Sequence, residues 1–207
     1  MVSVSSTIIV EIEAMRKCGL ASLAFYYYDF RDDEKKDLRG LLASVLSQLC
    51  NQSDSYYNIL STFYSTHCDG AQNLRASDDE LTQRLKALLG LPGQAPVYLI
   101  IDALDECSDT SSLSSSRQKV LTLLEDIIAS NLPNLRVCIT SRPETDIKVV
   151  LEPLTFRSIS IHEEIGQQED IENYIKSTIH SHRKMRRWKP EHKQLAIDVL
   201  TRRADGM

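Results

Sequence analysis

One segment limits the fold more than any other: VYLIIDALDEC, residues 97–107. An unbroken apolar run from Val97 to Ile101 meets three carboxylates, Asp102, Asp105 and Glu106. The run is short, and the breaker GLPGQAP at residues 90–96 precedes it, so it reads as a strand. A strand that is apolar throughout, rather than alternately, is covered on both faces, which is the habit of parallel sheets. Parallel strands need helices between them, and the rest of the chain supplies that pattern.

The spacing of Ile8, Ile9, Ile12 and Met15 predicts a helix over 5–16, with Ser5 or Ser6 as its cap. An aromatic-rich strand follows at 20–30. The stripe Leu38, Leu41, Leu42, Val45, Leu46 and Leu49 predicts the clearest amphipathic helix. Helices are expected over 53–75 and 78–89, a serine-rich loop over 108–116, and a helix over 118–130. A second apolar strand, LRVCIT at 135–140, ends in SRPE, and a third is expected at 155–161, TFRSISI. Beyond it come a helix carrying Ile171, Tyr174, Ile175 and Ile179, a basic stretch and a last helix over about 190–203. The predicted class is α/β, a parallel sheet sandwiched by helices and followed by a helical region.

Ligands of open parallel sheets bind outside the carboxyl ends of the strands, where Asp102 is expected to lie. Carboxylates are hard ligands, and Mg2+ is typically held by one or two of them plus waters and phosphates. On this reading Asp102 faces the metal, while Asp105 or Glu106 orients or deprotonates an attacking water. The alternative is a helix start that Asp102 or Asp105 caps and Glu106 complements. At the end of the second strand stand Thr140, Ser141 and Arg142, where a guanidinium is suited to a terminal phosphate.

These residues carry a family resemblance. VYLIIDALDEC resembles the Walker B segment of NACHT-type NTPases, and LRVCITSRPE resembles their sensor strand. FYYYDFRDDEKKDLRGLLASVLSQL resembles the strand and helix that lie between the P-loop helix and Walker B in the fungal NACHT and nephrocystin-type N-terminal domains. DIENYI and RRADGM are similar to helical segments beyond that core. The resemblance implies a P-loop NTPase-like core at 1–161 and the start of a helical region at 162–207. It implies a signalling ATPase or GTPase that oligomerises and is joined to effector and repeat domains, with protein partners through self-oligomerisation or effector domains, and with Mg2+ and ATP or GTP as cofactors. It assigns Asp102 to the metal, Asp105 and Glu106 to water activation, and Arg142, with Thr140 beside it, to the nucleotide's terminal phosphate. The phosphate-cradling motif GxxxxGK[ST] is not in the sequence. SSTII, residues 5–9, matches the helix after that motif, so the expectation is a chain that starts beyond it, with Met1 and Val2 at the lysine and hydroxyl positions. Weak nucleotide binding follows from that reading, and the alternative is a catalytically silent interaction module.

Composition narrows the partners. A net charge of −5 argues against a protein built mainly to neutralise nucleic-acid phosphate. The basic stretch HSHRKMRRWK, residues 180–189, reads as the solvated end of a helix, with a nucleic-acid or nuclear-import patch as the alternative. No apolar run approaches the ~20 residues that cross a bilayer, and the N-terminus lacks a leader pattern, so a cytoplasmic location is expected. Five scattered cysteines without a CxxC are expected to be reduced and packed as small apolar groups.

Overall fold

The computed structural model describes residues 4–32, 35–68, 76–108, 115–160 and 167–203. They fall into two compact units, Met1–Thr155 and Phe156–Met207. The first runs α1 (Val4–Lys17), β1 (Ser22–Tyr27), α2 (Leu38–Cys50), α3 (Asp54–Cys68), α4 (Asp78–Leu89), β2 (Val97–Asp102), α5 (Ser116–Ala129), β3 (Leu135–Ile139) and α6 (Thr145–Leu151). The second holds α7 (Gln167–Ser181) and α8 (Pro190–Arg203).

The three strands form one parallel sheet in the order β1-β2-β3, with Ser22 opposite Val97 and Val97 opposite Leu135. This is the α/β architecture that the apolar strands predict. The period of two splits β2 between two cores. Val97, Leu99 and Ile101 join Ala24 and Tyr26 of β1, and Tyr28 just beyond it, in the main core under α2, α3, α4 and α5. Ile100 joins Leu23 and Ile12 in a smaller core that Ile8 and Ile9 of α1 complete. Asp102 shares the face of Ile100, which is why α1 can reach it.

The predicted stripe of α2 is buried in full, and Asp37 caps the helix by accepting from Gly40 N. Truncating a side chain such as Leu42, which is fully buried, costs ~2–5 kcal/mol. Helix α4 starts on a reciprocal capping box between Ser77 and Glu80. The following turn, GLPGQAP, places Gly93 at φ +73, where a side chain would be strained.

The two edges of the sheet differ. Ser22 N donates to Pro96 O and Tyr28 N to Asp102 O, so alternation turns Leu23 and Phe25 outward from β1. Gln48 of α2 and Gln52 just past its end meet them there. Phe25 N donates to Gln48 Oε1 at 3.0 Å, and Gln48 Nε2 donates to Phe25 O at 2.7 Å. Leu23 N donates to Gln52 Oε1 at 2.9 Å, and Gln52 Nε2 donates to Leu23 O at 2.5 Å. On β3, Thr140 N donates to Ile101 O and Asn134 O accepts from Val97 N, so Val137 and Ile139 point outward. Among the described residues nothing bonds their outward amides and carbonyls.

Several expectations change. Residues 155–160 form no strand, and Phe156 and Ile159 are 105% and 58% exposed; Ile161 lies outside the described residues. β-Branched composition describes how a segment would pack in a sheet and does not itself make a strand; the described residues 155–160 do not pair. The first strand shrinks to Ser22–Tyr27, and the helix expected over 53–75 is described as Asp54–Cys68. Ser5 lies inside α1 rather than capping it, for a reason found at the strand tip. Cys18 is exposed, whereas Cys107 is buried, and the described cysteines are free. No helix of the described residues is long and apolar enough to cross a membrane.

Candidate functional site

β2 ends on Asp102, and the chain then bends through Ala103 in the left-handed region, φ 54 and ψ 49, into one 3-10 turn, Leu104–Glu106. For a residue with a Cβ that conformation costs ~1–2 kcal/mol. Thr140, just beyond β3, holds it in place. Ala103 N donates to Thr140 Oγ1 at 3.1 Å, and Leu104 N donates to Thr140 O at 3.0 Å. Leu104 is fully buried beneath the turn and anchors it from the other side. The turn's N-cap, Ala103, makes no side-chain cap bond, so neither Asp102 nor Asp105 acts as the helix cap weighed from the sequence.

Asp102 Oδ1 is the hub. It accepts from the Thr140 hydroxyl and, at 2.5 Å, from Ser5 Oγ. Ser5 is 1% exposed. Its place is explained by spacing: Ser5, Ile8, Ile9 and Ile12 share one face of α1, so the buried face ends in a hydroxyl that meets the carboxylate. The charge of Asp102 is also felt at Cys138, whose thiol is pushed up first by burial and then by that carboxylate.

The other two carboxylates are engaged elsewhere. Asp105 Oδ1 accepts from Arg142 N at 2.9 Å, and its Oδ2 lies 3.5 Å from Arg142 Nε. Its side chain is 10% exposed, against 78% for Arg142. Glu106 Oε2 accepts from Phe30 N, beyond β1, at a long 3.3 Å. The turn after β2 thus ties together the loops that follow all three strands. The structure brings Asp102 to Thr140 and Asp105 to Arg142, while Glu106 stands on the β1 side.

No group of three or more His, Cys, Asp or Glu side chains among the described residues converges to hold a metal. The donor set, one carboxylate with two hydroxyls beside it, does not make a protein-only cage. It does fit Mg2+ that brings phosphate and water ligands of its own.

Arg117 is a residue that the sequence reading missed. From the first turn of α5 it donates through Nη2 to Asp105 O at 2.6 Å and through Nε to Cys107 O at 3.3 Å. Its Nη1 lies 3.4 Å from Asp146 Oδ2 at the start of α6. The Arg117 side chain is 12% exposed, and its guanidinium holds the backbone on which Asp105 and Glu106 stand. A signal existed: a cation in the first turn opposes the helix dipole and needs a specific partner. Cys107 behind it is buried, and that burial pushes its thiol up to about 11.

No curated protein and no solved structure matches the chain. The family model for nephrocystin 3, N-terminal, matches residues 3–142, which take in the whole sheet together with Asp102, Asp105, Glu106, Thr140 and Arg142. The chain therefore belongs to the nephrocystin 3 N-terminal family.

Proposed function

We propose that the strand tip is the metal- and terminal-phosphate-facing half of a nucleotide-controlled switch of the NACHT kind, working through ATP or GTP. The observation that carries this reading is Asp102 at the end of the central strand, held by the hydroxyls of Ser5 and Thr140. Two residues beyond Thr140, Arg142 holds a solvent-facing guanidinium against Asp105. Asp102 is placed to hold Mg2+, which when bound neutralises phosphate charge. Arg142 is placed to meet a terminal phosphate by exchanging its loose contact with Asp105 for a bidentate one. Of the two candidate bases Glu106 is the freer, since its described bond is long and Asp105 is committed to Arg142 N. Backbone amides for the inner phosphates would come from GxxxxGK[ST], which these 207 residues lack, so binding by this chain is weak.

A second reading, a silent interaction module, is favoured by one fact: all three carboxylates already have protein partners. Thermal unfolding with millimolar Mg–ATP or Mg–GTP separates the two. The switch reading predicts a small upward shift in Tm that Asp102→Asn abolishes. The same Tm with and without nucleotide, or an unchanged shift in Asp102→Asn, contradicts it.

A further inference from the structure

The second unit carries a feature that the nucleotide reading does not use. Helices α7 and α8 pack against each other as a hairpin, and the connection between them is a hydrogen-bonded turn. Met185 N and Arg186 N both donate to His182 O, and Trp188 N donates to Met185 O. Pro190 then opens α8, as suits a first helical position. The sequence alone reads this stretch as a solvated helix end, whereas the structure makes it the tip of a hairpin.

Arg183, Lys184, Arg186, Arg187 and Lys189 crowd that tip, all exposed. None of them forms an ion pair among the described residues. Trp188 stands in their midst, 44% exposed. Net charge over the whole chain is −5, so this patch is opposite in sign to the rest. A patch of that sign is drawn towards an anionic surface.

From this we infer that the α7–α8 tip docks on the surface of an anionic lipid bilayer. Clustered Lys and Arg are drawn to negatively charged headgroups, and an amphipathic indole seats at the headgroup level. A hairpin turn with a single aromatic ring suits a flat, fluid surface. Single-stranded nucleic acid instead favours a groove with successive stacking platforms. The contact is peripheral: α7 and α8 are not spanning helices.

Trp188 is the only tryptophan in the chain, so its fluorescence reports on the tip alone. The experiment titrates the 207-residue chain with phosphatidylcholine vesicles that contain about a third phosphatidylserine, and sediments them in parallel. The expected result is a blue shift of Trp188 and co-sedimentation, both lost on pure phosphatidylcholine and on raising salt from about 0.1 M to about 0.5 M. Replacing Arg186 and Arg187 by Gln lowers the vesicle affinity about thirtyfold. Trp188→Ala keeps the salt-sensitive sedimentation but weakens it. No response to the anionic vesicles overturns the proposal, as does equal binding to neutral ones. A Trp188 response to polyuridylate without one to vesicles overturns it in favour of nucleic acid. These outcomes do not depend on nucleotide binding at the strand tip.

Discussion

The outer edges of β1 and β3 pose the same physical problem and receive opposite treatment. Each turns alternate amides and carbonyls away from β2. On β1, Gln48 in the last turn of α2 and Gln52 just past its end each use both ends of the side-chain amide on one strand residue. Two side chains thereby act as a substitute strand. On β3, among the described residues, only the start is dressed, where Arg136 Nη1 donates to Leu135 O and Leu135 N donates to Leu132 O. An edge with a dedicated cover is finished, and an edge without one is a template for another strand. The difference shows which side of this sheet its own residues complete.

The comparison can be broken most severely at the finished edge. Replacing Gln48 and Gln52 together by Ala strands the outward groups of Leu23 and Phe25 and is expected to cost on the order of 4 kcal/mol. A urea midpoint that barely moves would show that the glutamines are ornamental. Next in size is Arg117→Met, which removes the guanidinium from the carbonyls of Asp105 and Cys107 and costs ~3 kcal/mol in the same assay. Thr140→Val should cost ~2 kcal/mol, since it takes the hydroxyl from between Ala103 N and Asp102 and leaves the left-handed turn less supported.

The open edge behaves differently. Val137 N points away from β2, so Val137→Pro breaks no ladder bond, and its cost is expected to stay below ~1 kcal/mol. Sedimentation velocity at rising concentration should show the parent chain self-associating and the Pro variant doing so less. Equal self-association would show that the β3 edge is not the sticky one. The smallest effect is alkaline. Burial raises the thiols of Cys50, on the glutamine helix, and Cys107 from an ordinary 9.0 to about 11. The unfolded thiols release protons from about pH 9 and the folded ones only near 11, so stability falls as pH rises across that window. Replacing Cys50 by Ala should flatten the decline in a pH series of urea midpoints; a steeper one would contradict the sign.

Much of this was legible in the residues. The run Val97–Ile101 announces a doubly covered strand because burial on both faces leaves no polar period, and the α2 stripe announces its helix by spacing. Asp102 and Thr140 were legible as strand-end residues, since a strand that stops on polar groups in a parallel sheet stops at its ligand edge. What single-segment patterns do not carry is pairing between distant segments. Ser5 looks like a cap until α1 is laid on the face of Ile100 and Asp102. Gln48 and Gln52 look like solvent-facing residues of an amphipathic helix until β1 lies beside them. TFRSISI looks like a strand because composition reports how a segment would pack in a sheet, not whether an edge is waiting for it.

The account stands or falls on whether Asp102 and Arg142 face a metal and a phosphate together. At 23.5 kDa the chain suits amide NMR, with Mn2+ in place of Mg2+ as a paramagnetic probe. With Mn2+ and ATP present together, the account predicts selective broadening of the amides of Asp102, Ala103, Thr140 and Arg142, weak with Mn2+ alone and absent in Asp102→Asn. Broadening that ignores the nucleotide, survives Asp102→Asn or centres elsewhere on the chain would contradict it.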